Sequence, residues 1–489
     1  MPTLHSRWTR WMALALILLC ALALAQEEDV GLAKFNEGVQ LYEAGQLEQA
    51  RDAFLAALQT RPDDPTVLCW LGSVAVRMDQ PDQAIDYLTR AIEQDPDYAV
   101  SYNNLGNAYL ANNDLAKAEE QYVKATEKDP NYFDAWYNLA NLYVRAQKYE
   151  KAFNYYNRAL EIDPSDFEAH VVFGHALRKV GDTAKAIREF EAAAALKPDP
   201  QVLTILGTLY TKEGNTDKAI AAYEQALAAD NSIVEAHVGL GLALYSKRDY
   251  AQAIQHWQAA ADLDPTSFPA RYNLGLAYAA MNDQANAAAA YTAALALRPD
   301  DSNCLNNLGS ALYEQGKATE AVPYFQRAIE AKPDLQLAYI NLALALQRAG
   351  QKDEALDAWK TAVDKFPDSA EAHCGLANAY YDAADYDNAL PEYLRTVQLN
   401  DNNLEAHNNA GLIYLRRNDL TEAVVHFRAA LKIDPTYVYA LNNLGVALEK
   451  QGDTQQALQY YQKALDVRPD YGPAKKNLER LQKQLGGAG

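Results

Sequence analysis

Alanine recurs at Ala50, Ala84, Ala118, Ala152, Ala186, Ala219, Ala253, Ala287, Ala321, Ala355, Ala389, Ala423 and Ala457, and eleven of the twelve gaps are 34 residues, the other 33. A period of this length is one supersecondary unit copied in tandem, because each copy is too small to bury its own apolar face and must stack on its neighbours. The pattern predicts thirteen copies over residues 31–471, with starts near 31, 65, 99, 133, 167, 200, 234, 268, 302, 336, 370, 404 and 438. Length alone would suggest about three globular domains. The repeat overrides that expectation, and it leaves no room for a separate catalytic domain.

One copy shows what the unit is. In the segment that begins at Ala99, Tyr102, Leu105, Gly106 and Tyr109 fall at helical spacing, as do Ala118, Tyr122 and Ala125. Each set marks one face of a short amphipathic helix. Asn112-Asn113-Asp114 supplies the turn between them. Asp129-Pro130 ends the second helix, since proline cannot continue it. Gly106 and Ala118 are expected to be small because the two helix backbones approach there. The same frame fits every copy, with Ala140, Ala343 and Ala377 in the glycine position of three and Asn231 and Asp401 in the proline position of two. The one-residue deletion falls between Pro198 and Gly207, so the joint should absorb it in its loop.

These residues resemble the tetratricopeptide repeat family. The copy with Tyr102, Leu105, Gly106, Tyr109, Ala118, Tyr122, Ala125 and Pro130 carries the family signature in full, and the copy with His407, Ala410, Gly411, Tyr414, Ala423, Phe427, Ala430 and Pro435 departs little. The first copy departs most, with Lys34 and Glu37 at apolar positions, as befits a solvent-facing end. The resemblance implies an all-α fold, a right-handed α-solenoid superhelix of helix-turn-helix units. Residues 472–489 read as a capping helix and tail, with Leu478, Leu481 and Leu485 on one stripe and Lys475, Lys476, Arg480 and Lys483 facing out.

In this family the first helix of each unit lines a concave face, which usually binds an extended peptide. The sixth position of that helix holds Asn36, Asn104, Asn138, Asn273, Asn307, Asn341, Asn409 and Asn443. Asparagine is a mediocre helix former, so its recurrence needs another cause. Two remain open. An amide donates and accepts, so a row of them can hold a peptide backbone without reading its side chains; the repeat domain of O-GlcNAc transferase is similar. Alternatively, the amides bond neighbouring helices. Asn103, Asn306, Asn408 and Asn442 at the fifth position, Asn107, Asn141 and Asn378 at the ninth, and Tyr137, Tyr272, Tyr42, Tyr245, Tyr313 and Tyr381 flank the row.

Charge narrows the partner. Sixty-five acidic residues outweigh 44 basic ones, a net −21, which lacks the basic footprint that nonspecific nucleic-acid binding needs. The fifth, sixth and ninth positions carry no Lys, Arg, Asp or Glu, so the inner face is nearly neutral and the acidity belongs to the outer face and loops. Family members that grip carboxylate tails of chaperones use Lys and Arg at the second, fifth and sixth positions, where this chain has neither.

The start of the chain differs. Arg7 and Arg10 precede an apolar run from Trp11 to Ala25 that closes on Ala23-Leu24-Ala25. Residues 1–25 read as a secretory signal peptide and 26–30 as a short linker. The run is shorter than the ~20 residues a membrane span needs; an uncleaved anchor is the alternative. Leu19 before Cys20 lacks the small residue of a lipid-attachment site. The expected location is periplasmic or extracellular, in the cell envelope.

No chemistry-bearing constellation stands out. His170, His237, His373 and His407 recur in Glu-Ala-His triplets at the fourth position, where the family packs a large residue. A metal site needs three or four converging ligands, and neither these nor the spaced Cys69, Cys304 and Cys374 supply them. The thiols are too far apart to pair within one solenoid and read as semi-buried hydrophobes. The expectation is no catalytic residue, no cofactor and no metal: an exported, protein-binding scaffold. The alternative is a structural assembly factor of an envelope export or biogenesis system for polysaccharide, pilus or outer membrane.

Overall fold

The computed structural model describes residues 30–486. The proposed signal peptide and nearly all of the linker lie outside the described residues. Those described are all-helical, in short antiparallel pairs joined by tight turns, the arrangement of an α-solenoid. The chain divides into two compact units, the first ending at Asn231 and the second beginning at Ser232. The division falls at one of the two joints without proline.

In the first unit, the pair Ala99–Ala111 and Leu115–Lys128 is typical. Asn113 takes a left-handed conformation (φ 59°) in the turn. Asp114 then caps the second helix, accepting a hydrogen bond from the Lys117 amide. That helix ends at Lys128, before Asp129 and Pro130. The deletion is absorbed as expected: helices Thr183–Leu196 and Pro200–Lys212 are separated by three residues, where Tyr149–Ile162 and Phe167–Val180 are separated by four. Asp199 caps the shortened joint through the amides of Gln201 and Val202.

Packing corrects one expectation. Gly106 is small because of a ring: a Cβ there would lie 2.5 Å from the Tyr122 ring. Tyr122 is fully buried, as are Tyr156 and Phe190 at the same place in other pairs. The aromatic of the second helix thus lies against the backbone of the first, and glycine makes the space in these copies, while Ala140 stands opposite Tyr156.

The second unit is built alike, with Tyr291, Phe325, Tyr393, Phe427 and Tyr461 fully buried. Its last helix, Gly472–Gly486, packs Leu478 and Leu481 inward and exposes Lys475, Lys476, Arg480 and Lys483. Leu485, expected on the apolar stripe, is exposed instead. At the other end of the chain, in the first unit, Lys34 and Glu37 pair with each other at 2.6 Å.

Candidate functional site

The asparagines of the first helices occupy two layers. The fifth-position residues Asn103, Asn306, Asn408 and Asn442 are buried, 3–6% exposed. The sixth-position residues Asn104, Asn138, Asn273, Asn307, Asn341, Asn409 and Asn443 are half-buried and Asn36 is exposed. Asn107, Asn141, Tyr137 and Tyr272 are also half-buried.

Between the layers runs a register of amide bonds. Asn138 Nδ2 donates to Asn103 Oδ1 at 2.9 Å, Asn341 to Asn306 at 3.0 Å and Asn443 to Asn408 at 3.1 Å. Each bond joins the sixth position of one unit to the fifth position of the unit before it. Within an Asn-Asn dipeptide, the fifth-position Nδ2 donates to the sixth-position Oδ1: Asn103 to Asn104 at 3.3 Å, Asn306 to Asn307 at 3.4 Å, Asn408 to Asn409 at 3.1 Å, Asn442 to Asn443 at 3.3 Å. Where the preceding fifth position is cysteine or tyrosine, another group accepts, and where it is Val238, Asn273 makes no such bond. Asn104 donates to Ser73 Oγ at 3.0 Å, Asn307 to the Tyr272 hydroxyl at 3.1 Å and Asn409 to the Tyr393 hydroxyl at 3.1 Å. The capping helix continues the pattern, with Asn477 Nδ2 donating to Asn442 Oδ1 at 3.1 Å. Sequence reading missed Asn477; its place 35 residues after Asn442 was the signal.

The amide row therefore clips neighbouring helices together, one of the two causes left open above. Its unused capacity is what remains for a partner. Among the described residues, Asn36 and Asn273 make no side-chain hydrogen bond, and the Oδ1 atoms of Asn138 and Asn341 accept none. Asn107 and Asn141 accept from the buried Tyr122 and Tyr156 hydroxyls at 2.7 and 2.5 Å, leaving the Asn107 Nδ2 group free to donate, while the Asn141 amide faces the Tyr137 hydroxyl and keeps one N–H unspent. Tyr137 and Tyr272 stack on Phe133 and Phe268 with ring centroids 5.8 and 5.7 Å apart. Their rings are thus fixed elements of the face. Tyr42 and Tyr313 lie beneath the guanidiniums of Arg77 and Arg348, 4.5 and 4.6 Å from the ring centres.

The recurrent histidines bond sideways to the second helix of their own pair. His170 Nδ1 lies 2.7 Å from Glu189 and His373 2.5 Å from Glu392. His237 and His256 face each other Nδ1 to Nδ1 at 3.0 Å, and His407 and His426 at 3.2 Å. Burial and the facing imidazole hold His256 below the usual histidine range and push His426 down to about 4. No group of three potential metal ligands converges among the described residues. Cys69 and Cys304 are fully buried rather than semi-buried, and Cys374 is half-buried. Burial raises the pKa of all three, Cys304 to about 12, so none is held as a thiolate nucleophile.

Family comparison agrees with the geometry. A tetratricopeptide repeat model matches residues 21–65, 35–99, 70–131, 103–167, 171–232, 206–268, 272–335 and 340–403, and two related repeat models match 411–452 and 438–471. The chain belongs to the tetratricopeptide repeat family. Similar solved structures include the anaphase-promoting complex hetero-tetramer Cut9–Hcn1, at 16% identity over 88% of this chain and 98% of that one with a TM-score of 0.39. Yeast Tom70 is 18% identical over 94% of this chain and 97% of that one, with a TM-score of 0.37. MamA is 29% identical over 33% of this chain and 94% of that one, with a TM-score of 0.32. Repeats of this family typically form non-catalytic scaffolds for protein–protein interaction. No helix among the described residues is long and apolar enough to cross a membrane.

Proposed function

We propose that this chain is an exported scaffold that binds an extended segment or a domain of a partner protein along the concave face implied by its thirteen repeats. The observation that carries the reading is the residual amide capacity of the first helices. Asn36, Asn107, Asn138, Asn141, Asn273 and Asn341 keep donors or acceptors unspent on a face whose fifth, sixth and ninth positions are uncharged. Such groups suit a peptide backbone, and the fixed rings of Tyr137 and Tyr272 supply local preference. Many weak contacts along the row add by avidity. Export rests on Arg7, Arg10 and the apolar run that closes on Ala23-Leu24-Ala25.

The test is a crosslinking pulldown from the envelope fraction of the source cell, with the parent beside a variant carrying Asn36→Ala, Asn107→Ser, Asn141→Ser and Asn273→Ala. These changes spare the inter-unit clips, and serine already occupies the ninth position at Ser73 and Ser310. Capture of a partner by the parent and its loss from the folded variant support the reading. Equal capture of a few stoichiometric partners by both refutes it, and fits an assembly factor that serves as a spacer.

A further inference from the structure

Within the first unit, a cavity of about 480 Å³ opens on the first-helix face between Tyr42, Ser73, Val76, Arg77, Asn104, Asn107, Leu110, Ala111 and Arg145. No aspartate or glutamate lines it, in a chain of net charge −21. Neither guanidinium pairs with a carboxylate. Arg77 donates to the Tyr42 carbonyl at 3.1 Å, and Arg145 to Asn113 Oδ1 at 3.2 Å. A guanidinium carries five N–H donors, so each keeps several pointing at no protein acceptor.

The polar groups between the arginines are spent in a particular sense. Asn104 Oδ1 accepts from Asn103, Ser73 Oγ accepts from Asn104, and Asn107 Oδ1 accepts from Tyr122. The Asn107 amide therefore offers the cavity its donor end. The result is a recess with two cations and a free N–H, with Val76, Leu110 and Ala111 as its apolar lining. Its complement is a group with acceptors only, a negative charge and an aliphatic stem.

We propose that this recess is a carboxylate subsite, which receives an Asp or Glu side chain of the extended partner segment, with the guanidiniums of Arg77 and Arg145 as its cationic lining and Asn107 Nδ2 as a further donor. The inference rests on the partner-binding reading above and deepens it: a mostly neutral face acquires one point that fixes the register of the bound chain. The arginines stand at the end of the first helix, at the thirteenth position, so the subsite is separate from the second, fifth and sixth positions excluded above. Charge-assisted contacts to a guanidinium are the strong ones, whereas cations alone at a helix C-terminus would serve only the helix dipole.

Fluorescence anisotropy with defined peptides tests it. The probes are two labelled twelve-residue Gly/Ser peptides, blocked at both ends, one with a central Glu-Leu-Glu and one with Gln-Leu-Gln. The full chain is expected to bind the Glu peptide at least tenfold tighter at low salt. Arg77→Gln with Arg145→Gln should abolish that preference, with the helical content checked by circular dichroism. Arg395→Gln, a distant pair partner of Asp368, should leave it intact. Equal binding of both peptides, or a preference that survives the double substitution, overturns the subsite. Displacement of the peptide by inorganic phosphate at concentrations where acetate has no effect overturns the carboxylate assignment. The two readings fail separately: loss of the Glu preference leaves the pulldown result standing, and a pulldown insensitive to the face leaves the peptide result standing.

Discussion

The His407–His426 pair makes the stability of its repeat depend on mild acid. Both rings sit between the first and second helices of one unit, Nδ1 to Nδ1 at 3.2 Å, with Tyr414 stacked on His426 and the Asp401 carbonyl at His407 Nε2. His426 is 8% exposed. Burial first, and the neighbouring imidazole second, lower its pKa from 6.5 to about 4. His407 is lowered as well. A histidine with a depressed folded-state pKa contributes stability that is fully present above its unfolded pKa and is lost as pH falls through the folded one. The window therefore runs from about pH 6.5 down to about pH 4. Going from pH 7.5 to pH 5, the full shift of His426 amounts to about 2 kcal/mol, and solvent at the ring edge reduces it to about 1–2 kcal/mol. The perturbation is His426→Tyr, since tyrosine already fills this place at Tyr155, Tyr324 and Tyr460. The assay is urea denaturation of parent and variant at both pH values, which cancels the carboxylates common to both. The variant should lose about 1–2 kcal/mol less than the parent on acidification. Equal losses would refute the reasoning, as would an imidazole titration by NMR that places His426 at or above 6.5.

Other outcomes follow from packing and hydrogen bonding. Gly106→Ala drives a Cβ to 2.5 Å from the Tyr122 ring, so thermal denaturation should show a net loss of about 1–2 kcal/mol; a gain, as helix propensity alone dictates, would contradict the ring-on-backbone account. Asn443→Ala removes the donor to buried Asn408 Oδ1 and should cost about 1–3 kcal/mol, while Asn273→Ala should change stability by less than about 0.5 kcal/mol; the same urea curves separate them. Calorimetry of the whole chain should resolve more than one transition, with a break near the Asn231–Ser232 division. A single transition whose calorimetric and van't Hoff enthalpies agree would refute that. Cys304, at 0% exposure and with its pKa raised to about 12, should resist a thiol reagent at pH 8 until the chain unfolds.

The period carried the fold. Alanine every 34 residues, proline after each second helix and a polar turn between helices were enough to place the helix pairs, because each feature acts within its own copy. What was left open or missed acts between chain positions that the single-copy frame does not compare. The clips join residues 35 apart, such as Asn103 with Asn138, and the Asn-Asn dipeptides at 103–104, 306–307, 408–409 and 442–443 were their visible trace. The histidine pairs join residues 19 apart, fourth position to second helix, and that offset too stands in the sequence for His237 with His256 and for His407 with His426. Gly106 was assigned the right size for the wrong neighbour, since sequence spacing does not say whether a backbone or a ring lies opposite. The carboxylate recess was not legible at all: Tyr42, Asn107 and Arg145 come from three different copies, and only packing brings them to one cavity.

The central claim, that the first-helix face holds the partner, is tested most directly by site-specific photocrosslinking. A photoreactive residue would replace Asn36 or Asn273 on that face, or exposed Glu127 or Gln258 on the second helices. The account predicts partner adducts from Asn36 and Asn273, mapped by mass spectrometry to one extended stretch of the partner, with none from Glu127 and Gln258. Adducts from the second-helix positions alone would contradict it and move the contact to the acidic outer surface.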